Sequence, residues 1–301
     1  MTFSATDAAF EGFRVVRRKP MVLVWWTAAY LAFMALIVLI GIGPIVSLMG
    51  AAEALEGVVS PTPEDIAPFM AAWGSLMVLL MPLGLLFGAV LNAAVARSVL
   101  EPGKSSFGYL RVGADELRVL AVTVALAVLA MFAFGGMGLA VGVIAGIAAV
   151  ALGDAGWVVA LLAGLGFAVL IAWLAARFSL AVPITMAERK IAVFDSWRVT
   201  KGKTLPIIGM AILAFIMTIV VSLLFSFVLF PITIAMGMAG GWEQLAQLEG
   251  ATPAEIFAAM GPFLAVTVLF QAIGAALQLA VAYAPFSAAY LGIRGASPAA
   301  E

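Results

Sequence analysis

Cysteine and histidine are absent from the 301 residues, and only 10% of the side chains are charged. Without thiols there are no disulfides and no thiolate nucleophile. Without imidazole there are no histidine metal ligands and no histidine proton relay. A soluble domain carries about 25% charged residues. With 65% hydrophobic residues and a mean hydropathy of +1.20, this chain has too little polar surface for water, and the solvent it implies is lipid. A cleaved signal peptide is not expected either. The first apolar run begins at Met21, after Arg17-Arg18-Lys19-Pro20, and continues to about Met49, longer than a signal-peptide core of about 7–15 residues.

What is present in quantity is long apolar sequence. Six stretches, roughly 21–49, 68–96, 118–150, 156–182, 205–235 and 260–288, each meet the requirement of about 20 residues for crossing a hydrocarbon core. The expected fold class is therefore all-α: a polytopic bundle of six transmembrane helices in a single domain, 1–301.

The charges give this bundle a direction. All fifteen Lys and Arg fall in four segments. The first holds Arg14, Arg17, Arg18 and Lys19. The second holds Arg97, Lys104, Arg111 and Arg118. The third holds Arg177, Arg189, Lys190, Arg198, Lys201 and Lys203, and the tail holds Arg294. The other three connections carry only acids: Glu53, Glu56, Glu64 and Asp65, then Asp154, then Glu243, Glu249 and Glu255. Basic and acidic connections alternate, so the positive-inside rule places the basic segments and both termini in the cytoplasm of a bacterial-type inner membrane.

Three strings resemble one another: Phe10-Glu-Gly-Phe13-Arg14-Val15, Phe107-Gly-Tyr-Leu110-Arg111-Val112 and Phe194-Asp-Ser-Trp197-Arg198-Val199. An apolar stretch begins shortly after each, and each pair of stretches encloses an acidic connection. The unit expected is a cytoplasmic interfacial amphipathic helix followed by a transmembrane hairpin, in three copies at about 7–100, 104–190 and 191–294. All three run in the same direction, which puts any symmetry axis along the membrane normal. Thr62-Pro63-Glu64-Asp65 and Thr252-Pro253-Ala254-Glu255 each place Pro at the start of a short helix with acids just after it.

No Asp, Glu, Lys or Arg lies near the centre of an apolar stretch, which argues against a proton-coupled carrier or a voltage sensor. Arg97 and Arg177 sit at inner ends, where a long side chain reaches water cheaply. Alternatively they join Arg14, Arg111 and Arg198 in a ring that binds lipid phosphates. Asn92, Gln271 and Gln278 are the most polar residues within the stretches. Interhelical hydrogen bonding is their simplest role, and lining a small polar cavity is the other. Gly84 and Gly88, and Gly138, Gly142 and Gly146, recur every four residues. That spacing permits close helix approach, within the bundle or across a homodimer face. Gly41-x-Gly43-Pro44 is a flexible or kinked helix portion, with no βαβ context for a nucleotide fingerprint. Pro44, Pro82, Pro183, Pro231 and Pro285 are expected to kink or end helices, and Trp25, Trp26, Trp73, Trp157 and Trp242 to form aromatic belts.

The most distinctive stretch runs Arg177-Phe-Ser-Leu-Ala-Val-Pro183-Ile-Thr-Met-Ala-Glu188-Arg189-Lys190, then Phe194-Asp-Ser196-Trp197-Arg198-Val-Thr200-Lys201-Gly202. It resembles the membrane domain of the glycerophosphoryl diester phosphodiesterase family and related six-span bacterial envelope proteins of unknown function. The motif covers about 25 residues. Some members of that family carry a soluble catalytic barrel that uses histidines and carboxylates around a divalent metal. This chain has no histidine, so the resemblance implies the membrane fold without that activity.

Three functions come into question. A non-enzymatic membrane protein, binding membrane lipids (anionic ones included) or supporting a membrane protein partner or its own homo-oligomer, fits the missing catalytic groups best. A small-molecule transporter or channel built from three parallel hairpins is the alternative, and a cavity lined by Asn92 or the two glutamines would favour it. An intramembrane enzyme would have to draw on Glu188, Asp195, Asp115 and Glu116, which a solvated interfacial face explains more simply. No cofactor, metal or nucleic acid is expected.

Overall fold

The computed structural model describes residues 4–56, 58, 60–103, 106–236 and 253–295. The acidic connection with Trp242, Glu243 and Glu249 lies outside them, as does Lys104. The described residues form helices and contain no strand. In order these are α1 (Ala5–Ala9), α2 (Glu11–Arg18), α3 (Pro20–Glu53), α4 (Pro63–Leu100), a 3₁₀ turn at Ser106–Tyr109, α5 (Ala114–Leu152), a second 3₁₀ turn at Gly153–Ala155, α6 (Gly156–Phe178), α7 (Ala181–Glu188), α8 (Asp195–Val199), α9 (Thr204–Met236) and α10 (Pro253–Arg294).

Five stretches are long and apolar enough to cross a membrane, and one of them, Ser106–Glu188, contains both α5 and α6. This is the architecture of a helical membrane protein. Several boundaries follow from local chemistry. Pro20, Pro63 and Pro253 occupy the first helical position, where the missing N–H is no loss. At the start of α4 the Thr62 N–H and hydroxyl donate to Asp65 Oδ2 at 2.8 and 2.7 Å, and the Asp65 N–H donates to Thr62 Oγ1 at 3.4 Å. This reciprocal cap is the capping-box device with Asp as the acid. The helix it starts is the long α4, not a short one. Pro44, Pro82 and Pro231 lie inside helices that continue through them.

The chain groups into two compact units. One comprises Met21–Gly88 and Val220–Gln278. In it Phe87 stacks on Phe33 at 4.0 Å and meets Tyr30 edge-on at 5.2 Å, which holds α3 to α4. Phe225 of α9 packs on Gly274 of α10, where an added Cβ would stand 3.1 Å from the ring. Trp26 is buried, unlike a belt tryptophan, whereas Trp73 is exposed.

The other unit comprises Met1–Pro20, Ala89–Ile219 and Leu279–Glu301. Small residues let its helices approach. Ala89, Ala93 and Ala96 of α4 pack with Val119 of α5 and Met186 of α7. Ala181 of α7 packs with Val122 and Val193. In α10, Ala280, Ala284 and Ala288 are buried at every fourth position. Gly12 of α2 lies directly on that ladder: a Cβ there would sit 2.6 Å from the Ala280 carbonyl carbon. The chain reverses at Gly153 (φ +52°), and α6 runs back along α5. Gly156 abuts the Ala148 carbonyl, with 2.7 Å to an added Cβ, and Phe167 meets Phe134 edge-on at 5.8 Å.

Besides the belt position of Trp26, three expectations are corrected here: the length of the helix after Thr62, the middle repeat string and the glycine faces. The first and third repeat strings start helices just after Phe10 and Phe194, which share near-identical backbone angles (φ −86°, ψ −1° and φ −83°, ψ −12°). The middle string forms no amphipathic helix. Phe107, Gly108 and Tyr109 all have positive φ, a left-handed turn instead of an α-helix. Gly84, Gly138, Gly142 and Gly146 are exposed, and nothing lies within 4 Å of an added Cβ at these positions or at Gly88. Close helix approach therefore does not occur there among the described residues. It occurs at Gly12, Gly156 and the alanine ladder of α10.

Gly12 supplies a test of this packing. Gly12→Val is expected to push α2 off α10 and lower stability by about 1–3 kcal/mol, the usual cost of overpacking. A thermal melt in detergent checks it, and an unchanged midpoint would show that the contact is slack.

Candidate functional site

The unit built from the ends of α4 and α10 with α5, α6 and α7 encloses a partly open cavity of about 530 Å³. One face of each helix lines it. From α6 come Ile171, Leu174, Ala175 and Phe178, spaced i, i+3, i+4, i+7. From α5 come Leu126, Leu129, Ala130, Ala133 and Phe134 at the same periodicity. Asn92 and Ala96 contribute from α4, Val182 and Pro183 from α7, and Tyr283, Phe286 and Ser287 from α10, with Ser179 beyond the end of α6. Among the described residues the lining contains no Asp, Glu, Lys or Arg. Asn92 is its most polar member, and the Asn92 Oδ1 is buried without a hydrogen-bond partner. Gln271 and Gln278 are not part of the wall.

The cavity ends at a joint made by the most distinctive sequence motif. The Ser196 hydroxyl donates to the Arg177 carbonyl at 2.7 Å and accepts from the Leu180 N–H at 3.1 Å, so one side chain satisfies an orphan carbonyl at the end of α6 and the N–H of the residue that precedes α7. The Thr200 hydroxyl donates to the Ser196 carbonyl at 2.8 Å. The Arg177 guanidinium lies 5.3 Å from the Trp173 ring and 4.9 Å from the Trp197 ring and donates to the Trp197 carbonyl at 3.1 Å. Phe178 is shared: it lines the cavity and packs on Trp197 at 5.5 Å and Phe194 at 6.1 Å. Gly202, at φ +77°, allows the turn that follows.

A second joint buries charge. Arg97 is 4% exposed; it donates to the Tyr109 carbonyl at 2.6 Å and pairs with Glu116, itself 2% exposed. The Tyr109 hydroxyl donates to the Pro102 carbonyl at 2.7 Å, and Lys19 Nζ donates to the same hydroxyl at 3.0 Å. These bonds hold the left-handed turn at 107–109, a conformation that costs about 1–3 kcal/mol at a non-glycine residue.

Of the five arginines expected at lipid headgroups, three are thus paired with carboxylates of the protein. Arg14 pairs with Asp7 and with Glu11 at 3.0 Å, Arg97 with Glu116, and Arg198 with Asp195. Arg111 is exposed, and Arg177 has its guanidinium over two indole rings. The carboxylates considered for catalysis are engaged as well. Asp115 pairs with Arg118 at 2.5 Å, Glu188 with Arg294 and with Lys190 at 2.8 Å, and Asp195 with Lys190 at 3.1 Å. The hydrogen bond from Arg198, then that from Lys190, holds the Asp195 carboxyl below its ordinary range, and the bonds to Glu188 and Asp195 raise Lys190. Among the described residues no group of three or more carboxylates is arranged to hold a metal ion.

Sequence reasoning found Asn92 but missed the walls around it. The signal was there: small residues at 130, 133 and 175 interrupt otherwise bulky helix faces and leave space. Comparison with protein-family models, curated proteins and solved structures finds no match for this chain.

The buried pair is testable. Arg97→Gln leaves Glu116 without its counter-charge and is expected to cost about 3–5 kcal/mol, whereas combining Arg97→Met with Glu116→Leu restores much of it. Denaturation monitored by circular dichroism checks this, and a mild single-mutant effect would mean that water already reaches the pair.

Proposed function

We propose that this protein is a non-enzymatic six-pass membrane protein of a bacterial inner membrane that binds a membrane lipid by seating its apolar chain in the cavity. The observation that carries this reading is the cavity itself, apolar on five helices and free of charge. Its size lies within the range of about 300–1,000 Å³ typical of ligand sites. The cavity is partly open, and a chain drawn from the surrounding bilayer would lie against walls as apolar as itself.

The six-pass topology rests on the alternating charges and on α5 and α6, whose 39 and 23 residues each suffice to cross. The anionic-headgroup part of the lipid reading narrows to Arg111 and Arg177, since Arg14, Arg97 and Arg198 already have carboxylate partners. Arg177, Ser196, Trp197, Thr200 and Gly202, the residues that carry the resemblance to the phosphodiesterase-family membrane domain, bond or bend the chain where α6 ends. A membrane-protein partner and a homo-oligomer are both compatible with this role. Transport of a small apolar molecule is the second reading, favoured by a partly open cavity with Asn92 on its wall.

Ala133→Trp fills the cavity from α5. Lipid retained by the purified protein is expected to fall about tenfold, the equivalent of roughly two fewer buried methylenes at about 0.8 kcal/mol each. Native mass spectrometry reads this directly, and unchanged lipid adducts on a folded variant would defeat the proposal. Reporters fused near Glu56, Asp154 and Glu249 are expected to report from outside the cytoplasm. A cytoplasmic signal at Asp154 would reduce the count of crossings.

A further inference from the structure

The wall of the cavity carries an uncompleted hydrogen bond. Asn92 lines it from α4, and no protein donor reaches the buried Asn92 Oδ1. The hydroxyl of Ser179, which also lines the cavity, is already committed, donating to the Ala176 carbonyl at 2.8 Å. Buried polar atoms in folded proteins are nearly always paired, so this oxygen calls for a donor that the protein does not supply. The terminal torsion of an asparagine is broad, and rotation of the amide is the movement by which the oxygen would meet an occupant of the cavity.

The rest of the wall restricts what that occupant is. Among the described residues no cation lines the cavity to meet a carboxylate or phosphate, and no carboxylate lines it to meet an ammonium group. A charged group seated there would be desolvated without a partner. A plain hydrocarbon chain would fill the space but leave the Asn92 oxygen unpaired. We propose that the occupant is an uncharged, hydroxyl-bearing lipid chain whose O–H donates to Asn92, and that Asn92 selects it over chains without a donor. This inference rests on the lipid-binding reading of the cavity.

The test uses the full chain in detergent micelles, titrated with 1-hexadecanol, hexadecyl methyl ether and hexadecanoate, with adducts counted by native mass spectrometry. The alcohol is expected to bind roughly tenfold more tightly than the ether, the effect of one hydrogen bond to an otherwise unpaired group. Hexadecanoate is expected to bind no better than the ether. In Asn92→Leu the alcohol falls to the level of the ether, while ether binding holds and the melting temperature stays the same or rises, because an unpaired polar group has been removed. Asn92→Ala provides the same comparison with less bulk. Alcohol preference retained in both variants, or tighter binding of hexadecanoate, overturns the role of Asn92. Ala133→Trp separates the two levels: it weakens all three probes if the cavity is the site, and alcohol binding that persists there overturns the cavity reading itself.

Discussion

A peptide group that enters hydrocarbon finds its hydrogen-bond partner within its own helix or not at all. In this chain that constraint decides the secondary structure before any side chain is considered. Long helices follow from it, and so does the location of everything irregular. The turns at 106–109, 153–155 and 189–194 all fall where the sequence regains charge, glycine or hydroxyls. Within the helices, side chains have no hydrophobic reason to prefer one another over lipid. Association then depends on how closely backbones approach and on polar bonds at the helix ends. The first is visible where Gly12 meets Ala280 and where Gly156 meets Ala148. The second is visible at the two joints.

The joints work by different means. At the end of α6, Ser196 replaces a hydrogen bond that a terminating helix loses, and Arg177 is held over aromatic faces, so no buried counter-charge is needed. Between α4 and α5 the device is a buried ion pair whose remaining donor capacity goes to the Tyr109 carbonyl. A pair of this kind is weak evidence for net stability. What it supplies is geometry: Arg97 can satisfy Glu116 and the Tyr109 carbonyl together only if the 107–109 turn keeps its left-handed form. Lys19, bonded to the same tyrosine, extends the arrangement to the start of α3.

The helices were legible because their signal is long and redundant: some twenty apolar residues per stretch, with proline and acids at the starts. The cap of Thr62 and Asp65 was legible because it is local. The failures are all matters of what a helix face meets. Three strings of the form Phe-x-x-(bulky)-Arg-Val look equivalent, yet the middle one is held in a left-handed turn by Arg97 and Pro102, contacts that the string itself does not encode. Glycine spacing at 138, 142 and 146 permits close approach but does not name a partner, and the described chain provides none. Arg97 looks like any cation near a helix end until Glu116, far along the sequence, is brought to it.

The cavity has the same origin as those failures. Its walls are ordinary apolar helix faces, and only their arrangement makes a space. On α5 and α6, alanines at 130, 133 and 175 stand where larger residues would have closed the gap. On α7, Pro183 lies in the first turn, where it is tolerated at little cost. Phe178 then couples the space to the chemistry that is written plainly in the sequence: it forms cavity wall on one side and rests against Trp197 and Phe194 on the other. The motif that stands out most in the sequence therefore supplies one end of the wall, Phe178, Ser179, Val182 and Pro183. Its effect is to fix where α6 stops and how Phe178 is held, and through that to set the shape of a site whose other walls carry no recognisable signature.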